Sequence, residues 1–200
     1  MIAFNHFAPH GEKDLKLIDF MDNTNLDRVI EYARANYSTK KTDGSVIPCE
    51  VYLVGFSLGG NFILKYMGSS QKAVIEGQKA TQHEHVSAIA SISNPFDLTH
   101  TVVKLKTTRR GIYDKILSRS LKAPFVNEAF YGVAETKPGQ YCKKLPNCVL
   151  DFDNETRVKI WGFKSLQELY RKMSCGLYIQ HINRPFLIIH AKDDEIVLKE

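Results

Sequence analysis

The sequence lacks any apolar run long enough to cross a bilayer, so no transmembrane helix is expected in these 200 residues. Its first residues show no charged segment, apolar stretch and small-residue cleavage site in succession, so no signal peptide is read there. Cysteine is sparse: Cys49, Cys142, Cys148 and Cys175 are the four present. Only Cys142 and Cys148 lie close together, and no histidine follows them at metal-ligand spacing. No metal and no cofactor are therefore expected. Reduced thiols in a cytoplasmic setting are the expectation, although residues upstream of Met1 could carry a targeting segment. There is no internal repeat and no low-complexity tract, which excludes a solenoid or an array.

Aromatic residues are not interleaved with the basic ones. The densest basic cluster is Lys104, Lys106, Arg109 and Arg110, in a chain of net charge +5. Such a cluster suits an anionic partner, phospholipid or nucleic acid, or else a solvated helix face. Without a stacking platform no nucleic-acid partner is expected. The solvated face is the preferred reading, and peripheral membrane contact is left open.

What is present is an ordinary globular composition, 44% hydrophobic and 24% charged, in a chain long enough for one domain with a core. Residues 1–7 read as a strand running into a loop, and 8–22 as a polar connection. Asn23, Thr24 and Asn25 offer N-cap oxygens to a helix whose apolar positions are Leu26, Val29, Ile30, Ala33 and Tyr37. Residues 38–48 read as a loop, 50–55 as a buried strand, 58–67 as a helix, 68–84 as a polar and partly disordered stretch, and 86–93 as a strand. From Leu98 to Arg184 the pattern is mostly helical, with breaks at Pro124, Pro138-Gly139 and Pro146. Phe186 to Ala191 reads as a parallel, buried strand. Strands alternating with helices argue for an α/β fold with a parallel sheet. The long helical stretch is too long for one crossover. The expected organisation is a core over 1–97, a helical cap insertion over 98–184, and a core strand with its loop over 185–200.

The most informative motif is Gly55-Phe56-Ser57-Leu58-Gly59, with Val51-Tyr52-Leu53-Val54 before it and a helical pattern after it. This is the context of a nucleophile elbow, in which a strained strand-to-helix turn lifts a serine hydroxyl off the sheet. The glycines allow two backbone segments to approach closely. Leu58 N–H would then give half of an oxyanion hole. A plain glycine turn is the alternative. A serine hydroxyl is a weak nucleophile at neutral pH, so Ser57 needs a base and an acid that orients it. In this architecture the chain order is Ser, acid, His. Asp194, in the loop after the last strand, is the chosen acid. Asp193 is the alternative, and for either a turn carboxylate is the bland reading. No histidine follows Asp194. His100 follows a strand end and is the candidate substitute base. His83 and His85 precede a strand, at the wrong end for a site in a parallel sheet. His6, His10, His181 and His190 read as structural or surface residues.

Several segments together resemble the YheT-like branch of the α/β hydrolases, AB hydrolase family 4. They are residues 4–9, the block from Val54 to Tyr66 containing Gly-Phe-Ser-Leu-Gly-Gly-Asn, residues 91–98, and Ile188 to Asp194. A further stretch runs from Phe152-Asp153 through Gly162-Phe163 to Tyr170 and Ser174. The resemblance implies a partial α/β-hydrolase fold, a mostly parallel sheet flanked by helices with a helical cap insertion. It implies Ser57 as nucleophile, Asp194 as acid, and hydrolysis of carboxylic esters, with acylglycerols or phospholipids as substrates. The family's third strand with its oxyanion loop, and its last strand and the Gly-Gly-His segment that carries the base, have no counterpart here. The chain therefore resembles an internal fragment of such a hydrolase, with a non-catalytic remnant that binds lipid or a protein partner as the rival.

Overall fold

The computed structural model describes residues 1–2, 22–126 and 146–197. They fall into two units, one running to Phe96 and resuming at Ser174, the other running from Asp97 to Met173.

The first unit is built on three parallel strands. Helix α1 (Thr24–Tyr37) comes first and buries Leu26 and Ile30 of its apolar stripe. Its expected cap is not made: Asn23 is already helical and makes no capping bond, and Asp22 Oδ1 accepts from Thr24 N–H at 2.9 Å instead. The segment expected to be a plain loop contains a two-residue antiparallel ladder, β1 (Thr39–Lys40) with β2 (Val46–Ile47). Its turn is closed by Gly44 at φ +83° and by Asp43 Oδ1, which accepts from the Ser45 N–H and hydroxyl at 2.8 and 2.6 Å. Strands β3 (Val51–Phe56), β4 (Val86–Ile92) and β5 (Phe186–Ile189) then form a parallel sheet in the order β3-β4-β5.

The strands are not buried on both sides as expected. Successive side chains of a strand point to opposite faces. Val51 and Gly55 are buried, whereas Tyr52 and Phe56 are 63% and 65% exposed. On β5, Leu187 and Ile189 are likewise exposed. Helix α2 (Leu58–Ile75) packs on β3 and β4, and among the described residues the opposite face of the sheet is left uncovered. Met1 and Ile2 are exposed and not in a strand, and the rest of the expected first strand lies outside the described residues.

Helix α2 is longer than its pattern suggests. It runs through Gly68 to Ile75, because Gly68 is a contact glycine: a Cβ there would collide with the Tyr178 backbone. The stretch after it ends in a short 3-10 turn, Gln82–His85, rather than in disorder. The buried Tyr66 hydroxyl on α2 donates to Asp27 Oδ1 at 2.6 Å, and the same oxygen accepts from Gln82 N–H at 3.1 Å. One carboxylate of α1 thus ties the middle of α2 to the segment that leads into β4. Burial and the bond to Asp27 push the Tyr66 phenol far above its ordinary range.

The second unit is helical. Asp97 caps α3 (Leu98–Thr107) by accepting from Thr99 and His100 N–H at 2.7 and 3.2 Å. A 3-10 turn, Thr108–Gly111, leads into α4 (Ile112–Val126), followed by α5 (Val149–Glu155), α6 (Arg157–Ile160) and α7 (Leu166–Met173). Pro124 does not break α4 where a break was expected. Pro146 does fall between helices, and Pro138-Gly139 lies outside the described residues. Asp153, Arg157 and Tyr170 form a buried polar cluster. Arg157 is paired with Asp153 Oδ1, and the Tyr170 hydroxyl donates to Asp153 Oδ2 at 2.9 Å.

Candidate active site

Ser57 is the single residue between the end of β3 and the start of α2, at φ 49° and ψ −125°. A side-chain-bearing residue adopts a positive φ only at a cost, and such strain persists where the surroundings enforce it. Here they do. The Ser57 N–H donates to Ile92 O of β4 at 2.9 Å, and its carbonyl accepts from Gly60 and Asn61 N–H at 2.9 and 3.2 Å. The residue is clamped by the sheet on one side and by the first turn of α2 on the other. Its hydroxyl makes no capping bond, and the residue is exposed. Leu58 opens α2, so its N–H is among those at a helix start without an intrahelical acceptor.

The glycines divide into two kinds. A Cβ on Gly55 would stand 2.5 Å from Gly59 O and 2.7 Å from Gly60 N, both backbone atoms. A Cβ on Gly60 would stand 2.6 Å from Ser91 Oγ and 3.1 Å from Asn94 Cβ. Gly55 and Gly60 are what allow β3, α2 and β4 to meet behind Ser57. Gly59 is different, since a Cβ there would meet nothing within 4 Å.

The neighbouring strand ends complete this edge of the sheet. The parallel register pairs Phe56 with Ile92 and Ile92 with Ile189, so Ser57, Ser93 and His190 follow in a row. Ser93 is a second left-handed serine, φ 48°, with its N–H bonded to Ile189 O at 2.9 Å. It was not singled out from the sequence. Asp194 follows β5 in the loop beyond the same edge. Its Oδ1 accepts from both Ile196 and Val197 N–H at 2.9 Å, so the carboxylate organises its own loop. Asp193 beside it is exposed.

His190 closes that loop from the strand side. Its Nε2 lies 3.1 Å from Val197 O. A carbonyl can only accept, so Nε2 carries the proton and Nδ1 is the ring's acceptor nitrogen in the neutral form. Nδ1 is buried without a partner among the described residues, and the ring stacks near Phe96 at 6.4 Å. His100 belongs to the second unit, where it is exposed with its Nδ1 4.0 Å from the Asp97 carboxylate. His83 and His85 precede β4, at the sheet end opposite Ser57, and His83 is buried. Burial lowers the His83 imidazole below its ordinary value, and Thr81 Oγ1 lies 3.0 Å from its Nδ1. His6 and His10 lie outside the described residues.

A polar cluster beneath the turn was also missed. Asn61 Oδ1 accepts from Cys175 N–H at 2.8 Å, and Asn94 Nδ2 lies 3.4 Å from Cys175 Sγ. All three are buried. The available signal was Asn61 and Asn94 standing as uncharged polar residues against apolar runs. Among the described residues no group of three or more His, Cys, Asp or Glu is placed to hold a metal ion.

The chain is 29% identical over 154 residues to a monoacylglycerol lipase of Saccharomyces cerevisiae, covering 73% of this chain and 31% of that protein. It is 30% identical over 147 residues to an abhydrolase domain-containing protein of Dictyostelium discoideum, covering 72% and 34%. It is 26% identical over 159 residues to monoacylglycerol lipase ABHD2 of Homo sapiens, covering 74% and 35%. The chain spans about a third of the length of the curated relatives it matches. No family model and no solved structure matches it. The chain is related to the α/β hydrolases, and its mixed α/β fold with a parallel sheet agrees with part of that fold.

Proposed function

We propose that this chain carries the nucleophile and acid of a serine hydrolase acting on carboxylic esters of lipids, of the acylglycerol or phospholipid class. We place it in the YheT-like branch, AB hydrolase family 4. The observation that carries the reading is Ser57, exposed and held left-handed between a strand end and a helix start. The relatives named as monoacylglycerol lipases support the same chemistry.

In this reading Ser57 Oγ attacks the ester carbonyl, and the oxyanion of the tetrahedral intermediate is met by Leu58 N–H at the positive end of α2. Collapse expels the alcohol and leaves an acyl group on Ser57, which water then removes. Asp194 is the acid that would orient an imidazole, with Oδ1 held by its own loop. Residues 98–184 are read as the helical cap insertion.

The step that needs a partner is removal of the Ser57 proton. No histidine follows Asp194 in the sequence. The His190 ring is already committed, with its Nε2 proton on Val197 O and its Nδ1 buried. The commitment of His190 leaves room for a second reading, a chain that binds lipid or a protein partner without turnover.

Hydrolysis of a short-chain nitrophenyl ester separates the two. Removal of the base alone costs roughly a millionfold in serine hydrolases. The 200-residue chain is therefore expected to turn over barely above its Ser57→Ala variant, and added imidazole, which hydrolyses nitrophenyl esters by itself, is expected to widen the difference between parent and variant. Equal rates for parent and variant at every imidazole concentration would support the binding-only reading. Fast turnover without imidazole would mean that a histidine of this chain, His100 first, acts as the base.

A further inference from the structure

We infer that the α3–α4 hairpin of the second unit is a docking surface for an anionic phospholipid bilayer. The inference is independent of the chemistry at Ser57. Its first support is charge. Residues 98–122 contain seven lysines and arginines and one carboxylate, Asp114. Asp114 is buried, with Oδ1 accepting from Val149 N–H at 2.8 Å. The surplus of this hairpin exceeds the +5 of the whole chain.

The second support is what lies among those cations. Val103 on α3 and Ile112 and Ile116 on α4 are each more than half exposed. Ile112 and Ile116 are one helical turn apart, so they share a face, and Lys115 and Arg119 flank it. Ile112 and Ile116 thus form an exposed aliphatic pair set among cations. A single-stranded nucleic-acid surface would use aromatic residues for stacking, and none is exposed among the described side chains of this hairpin. Aliphatic residues set among lysine and arginine match the boundary between lipid headgroups and acyl chains, where the long cationic stems lie along apolar surface with their charges in the headgroups.

The third support is strain. Arg109 and Arg110 adopt φ 49° and 56°, followed by Gly111 at 75°. Two consecutive side-chain-bearing residues in the left-handed region are costly, and asparagine or glycine would fit more easily. The turn instead presents two exposed arginines at the tip of the hairpin, between Lys104 and Lys106 on one helix and Ile112 on the other.

The test is co-sedimentation of the full chain with vesicles of phosphatidylcholine alone, or with about one lipid in three replaced by phosphatidylserine. Binding is expected only to the anionic vesicles, weakening as salt rises. Replacing Arg109 and Arg110 together with asparagine keeps a residue that tolerates the left-handed turn and should weaken binding about thirtyfold. Lys104→Glu with Lys106→Glu, on regular helix, should weaken it at least as much. Ile112→Ser with Ile116→Ser should weaken it about tenfold or more while leaving the salt dependence unchanged. Ser57→Ala should bind as the parent does. Equal binding to phosphatidylcholine alone, no binding to either vesicle, or unaltered binding by the arginine and lysine variants would overturn the inference. Tighter binding to duplex DNA than to the anionic vesicles, lost in the same variants, would also overturn it and assign the surface to nucleic acid.

Discussion

Replacing Gly55 by alanine is expected to cost at least about 3 kcal/mol of stability and to abolish the turn at Ser57. The added Cβ would meet the Gly59 carbonyl oxygen at 2.5 Å, its carbon at 2.6 Å and the Gly60 nitrogen at 2.7 Å. All are backbone atoms of the first turn of α2, so no rotamer change relieves the clash. Either β3 or α2 must shift, and Ser57 joins them directly. Gly59→Ala is the control. Its Cβ enters open space on a helix, where alanine is favoured over glycine by about 1 kcal/mol, so it should be neutral or stabilising. Urea denaturation of the two variants measures the contrast. If Gly55→Ala is as stable as Gly59→Ala, the close approach of strand and helix behind Ser57 is not present.

Arg157→Met in the second unit is expected to destabilise the protein by about 3–5 kcal/mol. The Asp153 carboxylate is buried, and its only ionic partner among the described residues is Arg157. Burial raises the Asp153 carboxyl, while the Arg157 guanidinium and the Tyr170 hydroxyl oppose that rise. Removing Arg157 leaves a buried charge with one neutral donor. Replacing all three residues, Asp153→Leu with Arg157→Met and Tyr170→Phe, removes the three polar side chains of the cluster together. The triple variant should therefore recover most of the loss, because apolar residues of similar volume often replace a buried ion pair at little cost. The checking measurement is thermal unfolding, where the single variant should melt roughly 10 °C lower for a chain of this size. A loss below about 1 kcal/mol would mean that water reaches the pair.

What was legible in the sequence was local. Gly55-Phe56-Ser57-Leu58-Gly59 between apolar and helical patterns identified the turn, because its chemistry is contained in five residues. Strands β4 and β5, helix α1 and the helical run after Leu98 followed from periodicity. Facts that depend on distant chain were not legible. Tyr52, Val54 and Leu187 read as buried because apolar runs in parallel sheets usually are, but burial depends on what covers the sheet. The helix reads as ending at Met67 with a polar stretch after it, whereas Gly68 continues the helix against Tyr178, over a hundred residues away. Asn23 read as a cap from residue type alone, while Asp22 supplies the bond. The pairing of Asn61 with Cys175 needs the chain to return after the whole second unit, and nothing near either residue announces it.

The central claim is that the hydroxyl of Ser57 is the nucleophile of this fold. The most direct measurement is covalent trapping with a fluorophosphonate in the presence of imidazole, followed by mass spectrometry of the peptides. The account predicts one adduct per chain, on Ser57, absent from the Ser57→Ala variant and also lost in Gly55→Ala. An intact, folded chain that takes up no adduct at Ser57, or takes it up equally at Ser93, would contradict it.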